Sequence, residues 1–415
     1  YILTVVTAVL PVYFADVVVP KEGFRIGDSV YSATSLWGFS ISASALFVFL
    51  CAPVLGAIAD FSASKKKFLL GFCYTGSLFC TLLFFCGSGD VWMTVLFLGV
   101  SQIGFVGANI FYDAFLPHIS TEDKLDWVSG KGYAYGYVGS HIQFLICLLL
   151  ILGHETLGIS SVQAVKAALV FSGLWWAGFS LFTWKYLLEA PSTERLPDSM
   201  SRMPVWAALM VTGFQRTLVT LKKIRSFKHL MIFLLAFMLY NEGIQTVINM
   251  ATIYGKEELG LPTSTLMITL FVIQLVAMLG ALLFSKLAHT IGTRRALMTT
   301  LVGWSAVVIY AFFMTTSTEY MILGLIVGVV LGGSQSLSRS YYAAMIPVDA
   351  SAEFYGFYSV FTKFSAIWGP FAFAVIRQVT GSARLSIISL IVFFIAGILL
   401  LSIVNEQKAK EARLA

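Results

Sequence analysis

Gly56-Ala-Ile-Ala-Asp60-Phe-Ser-Ala-Ser-Lys65-Lys66-Lys67 closes one long apolar run, and Ser285-Lys-Leu-Ala-His289-Thr-Ile-Gly-Thr-Arg294-Arg295 closes another in the same register 229 residues later. The echo continues downstream, where Phe111-Tyr-Asp-Ala-Phe-Leu-Pro117 matches Tyr341-Tyr-Ala-Ala-Met-Ile-Pro347 at a separation of 230. The chain is built twice. Two membrane halves joined through a hinge are a body plan of solute carriers.

Working outward, 58% of the residues are hydrophobic and 12% are charged, against roughly 45–50% and about 25% in soluble proteins. The mean hydropathy is +0.85. An integral membrane protein follows. A spanning helix needs about 20 apolar residues, and the runs near 1–19, 35–59, 68–87, 91–115, 132–152, 164–186, 229–252, 263–288, 296–316, 319–345, 354–377 and 384–404 predict twelve. They are continuously apolar, whereas barrel strands alternate over about ten positions. The predicted fold class is therefore all-α, with twelve transmembrane helices in two pseudo-symmetric six-helix bundles. The predicted domains are a first bundle at 1–186, a cytoplasmic hinge at 187–228, and a second bundle with a short tail at 229–415. The first run starts at residue 1 and reads as a retained helix, with no cleaved segment.

Lys and Arg accumulate on the cytoplasmic side of membrane proteins. Counted by loop, nineteen lie on one side, including Lys65 to Lys67, Arg294 and Arg295, and six on the other, which places both termini inside. The net charge of +6 then reflects topology and attraction to anionic lipid; no nucleic-acid partner is implied. In the hinge, Trp206, Met210, Phe214, Leu218 and Leu221 recur at helical spacing, which predicts an amphipathic helix on the inner leaflet. The five cysteines lack metal-ligand or CxxC spacing. No GxxxxGK[ST], HExxH or GxSxG signature occurs. An enzyme, a resident metal, a cofactor and direct use of ATP are not expected; gradients would do the work.

Ionisable residues deep in a span mark a cavity or an internal pair. Glu242 in span 7 sits beside Asn241, Gln245 and Asn249, which form a polar stripe on one helical face. It is placed to hold a substrate ammonium group, to take and release a proton, or to pair with a neighbouring helix. In span 10, Gln335, Ser338, Arg339 and Tyr342 share a face, and Gly324, Gly328 and Gly332 form a small-residue series that either packs a helix or leaves open volume. The first-half equivalents of Arg339 and Tyr342 are Asn109 and Tyr112. Lys363 in span 11 and His141 in span 5 complete the candidates. The expected substrate-binding set is Asn109, Tyr112, His141, Asn241, Gln245, Gln335, Arg339, Tyr342 and Lys363, with Glu242 as the proton-coupling group. Two fixed cations and one anion suit a solute with a carboxylate. Asp60, Lys65, Lys66, Arg294 and Arg295 form the expected inner gate, with His289 standing where the first half has Asp60.

The loop GAIADFSASKKK and its echo SKLAHTIGTRRAL resemble the loop 2–3 and loop 8–9 motif of the major facilitator superfamily. The first copy departs from the motif at Ala63, where the family often has glycine, and the second at His289. GANIFYDAFLP (107–117), SGKGYAYGYVG (129–139) and LYNEGIQTVI (239–248) resemble the vacuolar amino-acid effluxer and bacterial UMF1 branch. That resemblance runs over essentially the whole chain. It implies export of neutral amino acids, as in the fungal members, and the short hinge suits a bacterial inner-membrane member. The expected function is a secondary active transporter, a monomer in the bilayer, moving a small zwitterion such as an amino acid or short peptide by alternating access, with protons as the coupling candidate. An organic-anion carrier is the rival, and a non-transporting receptor or scaffold on a carrier fold is the rival of another class.

Overall fold

The computed structural model describes residues 10–189, 203–224, 227–365 and 368–414. Of the predicted first span only 10–19 falls within them. Hinge residues 190–202 and 225–226, with Arg195, Arg202 and Arg225, lie outside.

Among the described residues eleven helical segments are long and apolar enough to cross a membrane, from Ser35–Phe61 to Ala383–Ile403. The predicted twelve spans differ by the first. After short helical turns over Leu10–Tyr13 and Phe14–Val18, a small hairpin pairs β1 (Phe24–Ile26) with β2 (Ser29–Tyr31). The long helices of the first half are α1 (Ala33–Phe61), α2 (Lys65–Leu82), α3 (Val91–Ala114), α4 (Leu125–Leu152) and α5 (Ser161–Tyr186). The hinge contains α6 (Val205–Ile224). The second half has α7 (Lys228–Glu257), α8 (Thr263–Ile291), α9 (Thr293–Phe313), α10 (Ser317–Met345), α11 (Ser351–Phe364), α12 (Trp368–Thr380), α13 (Ala383–Ser389), α14 (Ile391–Ile403) and α15 (Glu406–Leu414).

Local chemistry sets several starts. Ser160 with Gln163 and Thr316 with Glu319 form reciprocal capping boxes at α5 and α10, satisfying backbone N–H groups that the first turn leaves unpaired. Pro53 lies inside α1, yet that helix runs 29 residues unbroken.

Contacts divide the chain into two units, Tyr1–Asp113 with Gly139–Phe214, and Ala114–Val138 with Gln215–Ala415. The segment 114–138, from the first sequence half, thus packs with the second. In the first unit α2 lies on α5, where Ser77 Oγ donates to the Gly173 carbonyl, and Gln143 donates to Ser172 at 2.5 Å. In the second unit α8 and α10 approach backbone to backbone: a Cβ on Gly328 would meet the Ile273 carbonyl at 2.8 Å, and one on Gly324 or Gly332 would crowd Thr269 or Ala277. The glycine series of span 10 is a packing seam.

Candidate functional site

The eleventh span is described as two helical pieces, the first ending in a turn at Ser365. Residues 348–380 make a single candidate crossing, but α11 stops at Phe364 and α12 starts at Trp368. Two neighbouring residues of α7 hold the two sides of this interruption. Asn241 Nδ2 donates to Ser365 Oγ, just past the end of α11, and Ser365 Oγ donates to the Thr362 carbonyl at 2.8 Å. Glu242 accepts on Oε1 from the Gly369 N–H, in the first turn of α12. That N–H has no partner within its own helix, and a negative group there also meets the positive end of the helix dipole.

The local sequence explains the geometry. Pro370 has no N–H to leave unsatisfied and fits the first turn of a helix. Gly369 is required because a Cβ would overlap Thr246 Oγ1 and lie 3.0 Å from Glu242 Oε1. Thr246 is itself fixed by donating to the Glu242 carbonyl at 2.7 Å. Glu242 is 2% exposed and Asn241 7%. Interrupted spans whose half-helix ends face inward are where carriers bind charged solutes and ions.

Lys363 stands in the last turn of α11, at the negative end of that half-helix. It is part-buried, and among the described residues no hydrogen bond or ion pair engages its ammonium. Glu242 likewise has no ion-pair partner among the described residues, so the two charges do not neutralise each other by contact. Gln245, one turn beyond Asn241, is half-buried, and Asn249 is exposed.

Arg339 is engaged elsewhere. Its guanidinium donates from Nε to Ser129 Oγ at 3.0 Å and from Nη2 to the Ser129 carbonyl at 2.8 Å, and lies 4.5 Å from the centre of the Tyr133 ring. Ser129 passes the bond on to the Ser336 carbonyl at 2.7 Å. Tyr137 donates to Gln335 at 2.6 Å, and the buried Tyr342 donates to the Phe354 carbonyl at 2.7 Å. One turn below, Asp126 accepts from Ser340 at 2.5 Å and from Thr293 at 2.6 Å. Span 10 is thus tied to the start of α4 by a set of hydrogen bonds, of which those of Arg339 and Asp126 are charge-assisted and of the kind worth about 1.5–3 kcal/mol each. Asn109 and Tyr112 are exposed in the first unit and His141 is half-buried.

The gate candidates also have defined partners. Asp60 pairs with Lys65 at 2.8 Å. Glu189, at the start of the hinge, accepts from the backbone N–H groups of Lys65 and Lys66 at 2.7 and 3.0 Å. In the second half Arg294 donates to the Val404 carbonyl at 2.6 Å, beyond the end of α14, while Arg295 is exposed.

Sequence reading missed Asp126, Ser129, Glu189, Ser365 and Gly369. The Gly369-Pro370 pair inside an apolar run was the available signal for the interruption. Ser129 and Asp126 gave none, because their partners are more than 160 residues away.

Among the described residues, eleven candidate spans in a duplicated chain, one of them in two pieces beside a buried carboxylate and an ammonium that none of those residues pairs, define an integral multi-pass membrane protein. Solved structures bear out the fold: the proton:xylose symporter XylE matches with a TM-score of 0.68 at 13% identity, over 98% of this chain and 93% of that chain. The human organic anion transporter MFSD10 matches with 0.65 at 15%, over 90% and 86%. The chain belongs to the family described as "Vacuole effluxer Atg22 like", whose model matches residues 24–414. The uncharacterized MFS-type transporter YxiO of Bacillus subtilis is 35% identical over 99% of this chain and 93% of its own length. Autophagy-related protein 22-1 of Aspergillus niger is 25% identical over 72% of this chain and 51% of its own. The protein is a transporter of the major facilitator type and not an enzyme.

Proposed function

We propose that the protein is a secondary active carrier of a small zwitterion, an amino acid or short peptide, working by alternating access between bundles 1–186 and 229–415, with 187–228 as hinge. The observation that carries this reading is the interrupted eleventh span. Lys363 offers an unpaired cation to a substrate carboxylate, Gln245 offers an amide oxygen to its ammonium group, and Glu242 carries the coupling proton. Protonating Glu242 removes the charge that the start of α12 holds, so proton binding acts directly on the interruption. The charge asymmetry of the loops supports cytoplasmic termini, and the short hinge supports a bacterial inner-membrane location. The exposed Met210, Phe214 and Leu218 on one side of α6 support a hinge helix lying on the inner leaflet. A monomer suffices for this mechanism.

Glu242→Gln in proteoliposomes tests the coupling role. Accumulation driven by a pH jump is expected to vanish, while exchange of labelled for unlabelled solute, which moves no net proton, continues. Equal loss of both would end the proton-carrier assignment. The organic-anion reading rests on Lys363 alone, and it predicts that solutes lacking an ammonium group are carried as well as zwitterions.

A further inference from the structure

The helix after the last span, α15, is nine residues long, and isolated helices shorter than about 12–15 residues are marginal in water. Its helicity therefore depends on what it lies against. Glu406, Ala409, Lys410 and Arg413 fall at i, i+3, i+4 and i+7 and share one face, while Gln407, Lys408 and Glu411 are exposed. Asn405 caps the start, accepting from the Lys408 N–H at 3.0 Å, and its own N–H donates to His229 Nδ1 at 3.2 Å, at the start of α7. At the other end Arg413 divides its guanidinium between two acceptors. Nη1 donates to the Ala344 carbonyl at 2.7 Å, and Nη2 donates to Glu122 Oε1. Ala344 lies in the last turn of α10, where carbonyls lack a partner in their own helix and the dipole favours a cation. Lys410 approaches Glu122 at 3.7 Å and pairs with Glu406 at 2.9 Å. Glu122 opens the short turn between spans 4 and 5, in the segment 114–138 that packs within the second unit.

We propose that α15 is a releasable strap, which fastens the loop between spans 4 and 5 to the end of span 10 through Glu122, Lys410 and Arg413. It is releasable because its hold is mostly polar. Of the side chains described in 406–413, only Ala409 is fully buried, so little apolar area keeps the helix down. Ion pairs at part-exposed positions shift an equilibrium by less than about tenfold and are screened by salt. It is a strap because Arg413 alone touches both anchors. By sequence the loop belongs to the first half and Ala344 to the second, so any movement that parts them has to undo Arg413. The strap thus sets how readily the loop leaves span 10. This role requires no assignment of solute or coupling ion.

Hydrogen exchange read by mass spectrometry, on the purified full chain in detergent, follows both anchors at once. In Arg413→Gln the amides of 406–414 and those of 116–124 should exchange about three- to tenfold faster, together, with those of α9 unchanged. Glu122→Gln should act in the same direction. Raising the salt from about 0.1 M to about 1 M should speed both segments in the unaltered chain and have little effect in either variant. Arg413→Lys keeps the charge but loses the planar fork that reaches two acceptors, and should fall between. Faster exchange in 406–414 alone would leave the loop independent of α15 and overturn the proposal. Salt-independent protection in the unaltered chain, or unchanged exchange in both variants, would overturn it as well.

Discussion

Spans 5 and 11 occupy matching places in the two halves, and only one of them is interrupted. At the repeat separation of 230, Tyr133 corresponds to Lys363, Gly139 to Gly369 and Ser140 to Pro370. Their α7 partners Asn241 and Glu242 correspond to Pro11 and Val12. α4 runs unbroken from Leu125 to Leu152, whereas span 11 is parted into α11 and α12. A proline alone does not make the difference, because Pro53 sits in the middle of the continuous α1. What span 11 has in addition is a neighbouring carboxylate to take the N–H that the interruption frees, and an amide to hold the chain on the other side. In a membrane an unsatisfied backbone group costs several kcal/mol, so an interruption persists where a second helix satisfies it. At this level one half thus has a continuous helix and the other a charged span in two pieces.

The largest effect is expected from forcing the same interruption on span 5. Ser140→Pro removes an intrahelical bond and sets the ring against the carbonyl one turn earlier, with no acidic partner matching Glu242. It should cost about 3 kcal/mol or more in unfolding from mixed micelles. A cost near zero would show that span 5 is as tolerant of interruption as span 11.

A smaller effect follows from closing the space that span 11 needs. Gly369→Ala drives a Cβ into Thr246 and Glu242, and should destabilise by about 1–3 kcal/mol by the same unfolding measurement. Pairing it with Thr246→Ala, which opens that space, should recover part of the loss. Full additivity of the two changes would mean that the contact at Gly369 does not set the geometry of the interruption.

The fold was legible because its signal is local and repeated: apolar length gave the spans, and the echo at 229–230 residues gave the two halves. The polar chemistry was only half legible. Asn241, Glu242 and Lys363 were visible as polar residues in apolar runs, and all three lie at the interruption. Their roles there were not visible, because what Glu242 does depends on Gly369, 127 residues away. Arg339 shows the converse. Its depth in span 10 reads as an open cation, yet Ser129 and Tyr133 in another span take up the guanidinium. Sequence places a charge in the membrane; the partner that satisfies it comes from whichever helix the fold brings alongside.

The account's central claim is that the interrupted span holds a zwitterion through Lys363. Competition for exchange in proteoliposomes tests it, with labelled leucine as the probe, 3-methylbutylamine as the same skeleton without its carboxylate, and 4-methylpentanoate as the skeleton without its ammonium group. The account predicts that unlabelled leucine competes, that neither analogue does at tenfold higher concentration, and that Lys363→Gln lowers the affinity for leucine about tenfold or more. Equal competition by the amine, together with unchanged affinity in Lys363→Gln, would contradict it.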